Sequence, residues 1–195
     1  MIWQPSCQVK TRSETLYGQD QFWQDILKNL PVKRKVFVSY HHGNDQYWYD
    51  RFSVLFGDTY DIVYDNSLER RIDSDDTAYV DRRIRENYIV GTSITVVLCG
   101  AETWKRKYLD WETYATLYCE HALLGICLPT ALDTIDGKKR APDRFVDNWN
   151  TGYAHWMHWS EDPIVVKTAI EEAVRKSASK QLINNSRLKF TRNLP

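Results

Sequence analysis

Ile94–Cys99, with the sequence ITVVLC, is almost entirely apolar and ends at Gly100. A strand with one wet face alternates apolar and polar residues. An unbroken β-branched and aliphatic run is a strand buried on both faces. Double burial demands helices on either side of a parallel sheet, so this run narrows the fold more than any other stretch. The rest of the chain agrees. Residues 35–40 (KVFVSY), 62–64 and 123–128 read as further strands, and 153–159 alternates as an edge strand does. Helical patterns lie between them, at 47–56, 78–89 and 102–121, and a last helix opens at Asp162-Pro163 and runs to about 183. Strands alternating with helices give an α/β fold, a parallel five-stranded sheet with helices on both faces.

Outside this core the chain is less regular. Phe22, Trp23, Ile26, Leu27 and Leu30 form an amphipathic helix that Pro31 ends. Residues 130–151 turn polar, with Asp136-Gly137 as a hairpin-like turn, and form a long excursion of the kind that is functional or mobile in compact domains. Residues 184–195 are polar and are expected to fray.

Charge and cysteines exclude several function classes. The 195 residues carry 26 basic and 26 acidic side chains, so there is no net field to attract nucleic acid or an anionic membrane. The basic clusters Lys33-Arg34-Lys35 and Lys138-Lys139-Arg140 read as solvated loops. Cys7, Cys99, Cys119 and Cys127 include no CxxC pair, so neither a zinc site nor a disulfide framework is expected. No apolar run reaches the ~18 residues of a membrane helix, and the first ten residues do not resemble a signal peptide. The expected compartment is the cytoplasm. Eight Trp and twelve Tyr exceed the needs of one core, which points to a groove or an interface lined by rings.

In such a sheet the loops after the strands meet at one edge. Here they are residues 41–45, 65–73 and 100–104. None carries GxxxxGK[ST] or GxGxxG, so phosphate-loop and dinucleotide-fold chemistry lack their signatures. His155 and His158 fall on opposite faces of a strand and cannot share a metal; no metal site is expected. Trp104, Tyr108 and Glu112 recur every four residues, which places them along one helix face, a carboxylate below two rings. That arrangement suits a flat ring joined to a sugar. The same residues also fit a core stripe with Glu112 as a solvated carboxylate, and the spacing by itself leaves both readings open.

Three blocks, KVFVSYHH, YDNSLERRIDSDD and GTSITVVLCGAETWKRKYLDWE, resemble TIR domains, and more narrowly the TIR-like subunit of bacterial Thoeris anti-phage systems. The resemblance covers roughly residues 35–130. It rests on Ser39-Tyr40-His41 after the first strand, Asp65-x-Ser67-Leu68 after the second, and the third block as a whole. One position departs: Tyr108 stands four residues before Glu112, where family members usually carry Trp, and a Trp stands at 111. The resemblance implies a flavodoxin-like TIR domain over 35–183, with 1–34 an N-terminal extension and 184–195 a tail. It implies cleavage of NAD, as substrate rather than cofactor, at the nicotinamide–ribose bond. Glu112 takes the catalytic place, with Ser39, Tyr40, His41, Asp45, Asp65, Ser67, Trp104 and Tyr108 around the substrate. It further implies a cyclic ADP-ribose-type product that activates an effector, and assembly of copies through TIR–TIR contacts. The alternative is a non-enzymatic TIR scaffold.

Overall fold

The structure is a computed structural model and describes residues 33–63 and 77–195. The amphipathic helix expected at 20–30 lies outside the described residues. Five strands, β1 (Lys35–Ser39), β2 (Asp61–Val63), β3 (Ile94–Cys99), β4 (Ala122–Cys127) and β5 (His155–His158), form one sheet in the order β2-β1-β3-β4-β5. Every pairing is parallel. This is the flavodoxin-like arrangement. The chain builds outward from β1 to β2, then crosses back to start β3 on the other side of β1. Ligands of such sheets bind where the order reverses, outside the carboxyl ends of β1 and β3.

Helices α1 (His42–Phe56), α2 (Thr77–Ile84), α3 (Lys107–Tyr118), α4 (Asp143–Asn150) and α5 (Pro163–Lys176) cover the sheet. Strand alternation assigns the faces. Val36, Val38, Val96, Leu98, Leu124 and Ile126 pack against Phe52 and Phe56 of α1 and Val166 and Ile170 of α5. On the opposite face, Phe37 meets Ile84, Trp111 and Ala115, while Val97 and Leu123 meet Leu109, Leu117 and Phe145. All six β3 residues are buried, as the apolar run requires. Cys99 and Cys127 are free buried thiols, and burial pushes both up from the usual thiol range. The edge strand alternates as expected, with Met157 and Trp159 on the first face and Trp156 on the second. Among the described residues, no helix is long and apolar enough to cross a membrane.

Three local differences from the sequence reading have physical causes. The helix expected to run from 102 to 121 breaks. Thr103–Lys105 is a 3-10 turn, Arg106 is extended (φ −90°, ψ 121°), and α3 starts only at Lys107. The polar excursion contains α4, whose inward face carries Arg144 and Asn148, both buried. Arg144 donates to both carboxylate oxygens of buried Asp110, at 2.8 and 3.3 Å. Buried Phe145 shares that inward face with Arg144 and Asn148, and in eight residues the apolar stripe of Phe145, Val146 and Trp149 is too short to stand out from a polar excursion. The C-terminal tail does not fray, because its backbone is bonded to α3 and α4. Asn184 exchanges two hydrogen bonds with Asn148, Phe190 donates its N–H to Asp110, and the Trp111 indole donates to the Phe190 carbonyl.

The Arg144–Asp110 pair gives a direct test. Arg144→Met leaves the Asp110 carboxylate buried with the Phe190 N–H still donating to it. Loss of one partner of such a pair typically costs about 3–5 kcal/mol. Urea denaturation should show a loss of that size, and adding Asp110→Asn should recover part of it by removing the uncompensated charge.

Candidate active site

The site is built in two layers, because β1 ends short of β3. Ser39, the last residue of β1, lies level with Val97, two residues before the end of β3. The lower layer sits between the sheet and α3. Ser39 shares a face with Phe37, so its hydroxyl points toward the second turn of α3. It donates a hydrogen bond of 2.6 Å to Glu112 Oε2. Ser39 is fully buried and Glu112 is 3% exposed. Thr116, one turn on, donates to the Glu112 carbonyl at 2.8 Å and lies 2.7 Å from the Thr95 hydroxyl of β3. The sequence reading that left Glu112 as a solvated carboxylate is therefore overturned by its burial. A carboxylate taken this far from water costs several kcal/mol unless it is hydrogen-bonded, and the Ser39 hydroxyl meets part of that need.

The upper layer closes the switch point. Chain 41–45 is not a loop: α1 begins at His42, and the His41 carbonyl accepts the Asp45 N–H. Asp45 falls in the first helical turn, where the helix dipole favours a carboxylate. Its side chain is fully buried against the turn after β3. A Cβ on Gly100 would stand 2.2 Å from Asp45 Oδ1, so only glycine fits there. Thr103 Oγ1 accepts the Gly100 N–H at 2.8 Å and lies in donating distance of both Asp45 Oδ2 (3.0 Å) and the Leu98 carbonyl (3.2 Å). Burial raises the Asp45 carboxyl to about 6, against the lowering effects of the Thr103 hydrogen bond and Arg106. A second tie crosses the same gap. Asn44 Nδ2 donates to Glu102 at 3.1 Å, and Arg106 pairs with the same carboxylate.

The other expected site residues are distributed unevenly around this core. Tyr40 points to the opposite face of the sheet, stacked on Tyr49 at 4.3 Å and donating to Gln46. His41 occupies the N-cap position of α1, where its side chain makes no capping hydrogen bond, and its ring lies beside Gly43. Tyr108 is partly buried on the Phe37 cluster and meets Trp111 edge to face. Trp104 belongs to the 3-10 turn, so it does not continue the helical face of Tyr108 and Glu112. Its indole donates to the Ala101 carbonyl, and the Arg140 guanidinium sits 4.1 Å over its ring. Asp65 and Ser67 lie outside the described residues. Ser39 and Glu112 are thus in direct contact, while Asp45 is a neighbour one layer up that faces the protein. Among the described residues no group of three or more His, Cys, Asp or Glu side chains could hold a metal.

A sheet with its switch point at β1/β3 is shared by many α/β domains. The sequence decides the family: residues 37–133 match the family model described as Thoeris protein ThsB, TIR-like domain. The chain carries a ThsB-type TIR-like domain. No curated protein matches the chain. The matched segment includes residues 37–39 of β1, both layers of the site and β4. In this ThsB-type domain the sequence reading missed Thr103, Asn44, Glu102 and Arg106. Their signal was indirect, since Thr103 follows Gly100 by three residues at a strand end, but only the fold brings them to α1. It also missed the tail. Asn193 Oδ1 accepts the Lys107 N–H at 2.9 Å and Leu194 donates to the Lys105 carbonyl, which ties the tail to the start of α3 and the Trp104 turn.

Two outcomes follow from these contacts. Because Asp45 titrates near 6 when folded and ordinarily at 3.8, the folded chain holds its proton more tightly than the unfolded chain. Its favourable contribution is complete below about pH 4 and lost as the pH rises through about 6. Asp45→Asn should therefore be more stable than the native protein at pH 8, by on the order of 2 kcal/mol, with the difference vanishing below pH 4. Urea titrations at the two pH values measure this. Asn193→Ala should lower stability by roughly 1 kcal/mol, the usual worth of a helix-capping side chain, and hydrogen exchange should quicken first at the N-terminal amides of α3.

Proposed function

We propose that this ThsB-type TIR protein cleaves NAD at the nicotinamide–ribose bond, with Glu112 as the catalytic carboxylate and Ser39 as the residue that orients it. The observation that carries this reading is the buried 2.6 Å Ser39–Glu112 hydrogen bond at the carboxyl end of β1, next to the crevice where sheets of this order bind ligands. Ser39 holds one oxygen of Glu112, and in the proposal the carboxylate engages a ribose hydroxyl when NAD is bound.

In the reaction the C1′–N bond breaks heterolytically. The electron pair goes to the pyridinium nitrogen, so nicotinamide leaves neutral and needs no acid. Positive charge grows on the ribose as an oxocarbenium-like centre. A fixed carboxylate in a low-dielectric setting stabilises that charge more than it stabilises the ground state. Capture by water, with its proton released to solvent, gives ADP-ribose. Capture by a ring nitrogen of the same molecule's adenine gives a cyclic isomer, which fits a signalling role toward an effector. NAD serves as substrate, and no resident cofactor is proposed. Copies assemble through TIR–TIR contacts, for which Tyr47 and Val54, exposed on α1, provide apolar surface.

The depth of Glu112 supports a second reading, a non-enzymatic scaffold acting only through TIR–TIR contacts, since at 3% exposure the carboxylate meets solvent only if neighbouring segments move. One assay separates the two. Nicotinamide release from NAD is followed over a range of protein concentrations, with and without phage lysate. Enzyme function predicts release that falls on the order of a hundred-fold in Glu112→Gln and roughly ten-fold in Ser39→Ala, where an orienting hydrogen bond to a charged group is lost. No release under any condition favours the scaffold. Release unchanged in Glu112→Gln removes Glu112 from the site. Chromatography of the nucleotide product distinguishes the cyclic from the linear form.

A further inference from the structure

The excursion after β4 builds a cavity of about 540 Å³ on the outer side of β5, apart from the Ser39–Glu112 contact. That volume lies within the ~300–1,000 Å³ of small-molecule sites. Phe145, Trp149 and Trp156 supply its rings. Phe145 and Trp156 lie 5.5 Å apart over Gly125 of β4, and a Cβ at Gly125 would stand 2.5 Å from the Phe145 ring and 2.6 Å from Trp156. The two rings therefore reach the sheet only because that strand position has no side chain. Trp149, 45% exposed on α4, stands at the cavity as an aromatic that the core does not use.

The opposite wall is the hairpin closed by the Asp133–Lys139 bridge, and it brings Lys138, Lys139 and Arg140 to the cavity. The acidic residues there are already engaged. Asp136 pairs with Lys138 at 2.9 Å, and Asp143 lies 3.4 Å from Arg187. Lys138 is exposed and its ammonium carries three donors, so it can reach a second anion while keeping its pair with Asp136. Arg140 is the distinctive member. Its guanidinium stacks on Trp104, and its Nε is buried without a hydrogen-bond partner. The stack on Trp104 holds this cation at the hairpin wall.

Stacking rings and a cluster of cations lining one cavity fit a ligand that is flat at one end and anionic at the other. We infer that this cavity is a binding site for a mononucleotide-type ligand, its base against Trp149 and Trp156 and its phosphate toward Lys138 and Arg140. The lining residues run from Thr134 to His158, beyond the segment 37–133 that matches the TIR-like family, so the site belongs to the part of the chain outside that match. The inference does not depend on NAD cleavage.

Adenosine monophosphate is the probe, with isothermal calorimetry for affinity and ¹⁵N-resolved NMR for location, on the full chain. The expected result is saturable binding with shifts concentrated in residues 134–158, including the Trp149 and Trp156 indole N–H signals. Trp149→Ala, at an exposed position where folding is spared, should weaken binding roughly ten-fold, the scale of one base–aromatic stack. Lys138→Ala should weaken it several-fold and reduce its salt dependence. Adenosine and inorganic phosphate, each alone, should bind much more weakly than the nucleotide. No binding at millimolar nucleotide overturns the inference. So do shifts confined to residues around Ser39 and Glu112, or an affinity for adenosine or phosphate alone equal to that of the nucleotide. Glu112→Gln should leave this binding unchanged even if it abolishes nicotinamide release, so the two readings fail separately.

Discussion

The position of α3 depends on Asp110. Its carboxylate accepts two hydrogen bonds from Arg144 of α4 and one from the Phe190 N–H of the tail, with almost no access to solvent. Three chain segments that share no hydrophobic period are thereby fixed around one charge. Such a pair adds little net stability compared with an apolar contact, but breaking it is costly. Its effect here is geometric. With α3 held from its outer side, the residue two positions on, Glu112, is presented inward to Ser39 at a defined distance.

The other constraint is the unequal length of β1 and β3. Because β1 stops level with Val97, the chain after it can turn into α1 beneath the turn that follows β3. Asp45 and Gly100 then occupy the same space, and only the missing Cβ permits it. Thr103 completes the contact by linking the Gly100 amide to the Asp45 carboxylate. The buried Asp45 carboxyl is costly at neutral pH, whereas Ser39 and Glu112 below it carry the polar contact that the proposed chemistry uses. The upper layer holds the two loops of the switch point together; the lower layer holds the carboxylate.

The polar excursion changes meaning once α4 is seen. Its sequence suggested a long irregular loop, yet it forms a hairpin and a helix whose aromatic residues cover the outer end of β4 and the edge strand β5. Lys138-Lys139-Arg140, which read as a solvated run, is divided by the hairpin into different roles. Lys139 closes the turn against Asp133, Lys138 stays exposed beside Asp136, and Arg140 crosses to Trp104. A run of like charges in sequence therefore becomes three separate environments in space.

What the sequence determined by itself was whatever depends on local period and covalent geometry. The doubly buried β3, the alternation of β5, the parallel sheet and the glycine after β3 all follow from short-range patterns that hydrophobic burial enforces. The three TIR-like blocks pointed to Ser39 and Glu112 without saying that they touch. Tertiary structure decided the rest, because each remaining feature needs partners far apart in the chain. Arg144 and Asn148 turn a polar segment into a helix only by meeting Asp110 and Asn184. Trp104 leaves the face of Glu112 because Arg106 is extended. The burial of Glu112, which spacing left undecided, is settled by a 2.6 Å contact across 73 residues, a distance over which no periodicity carries information.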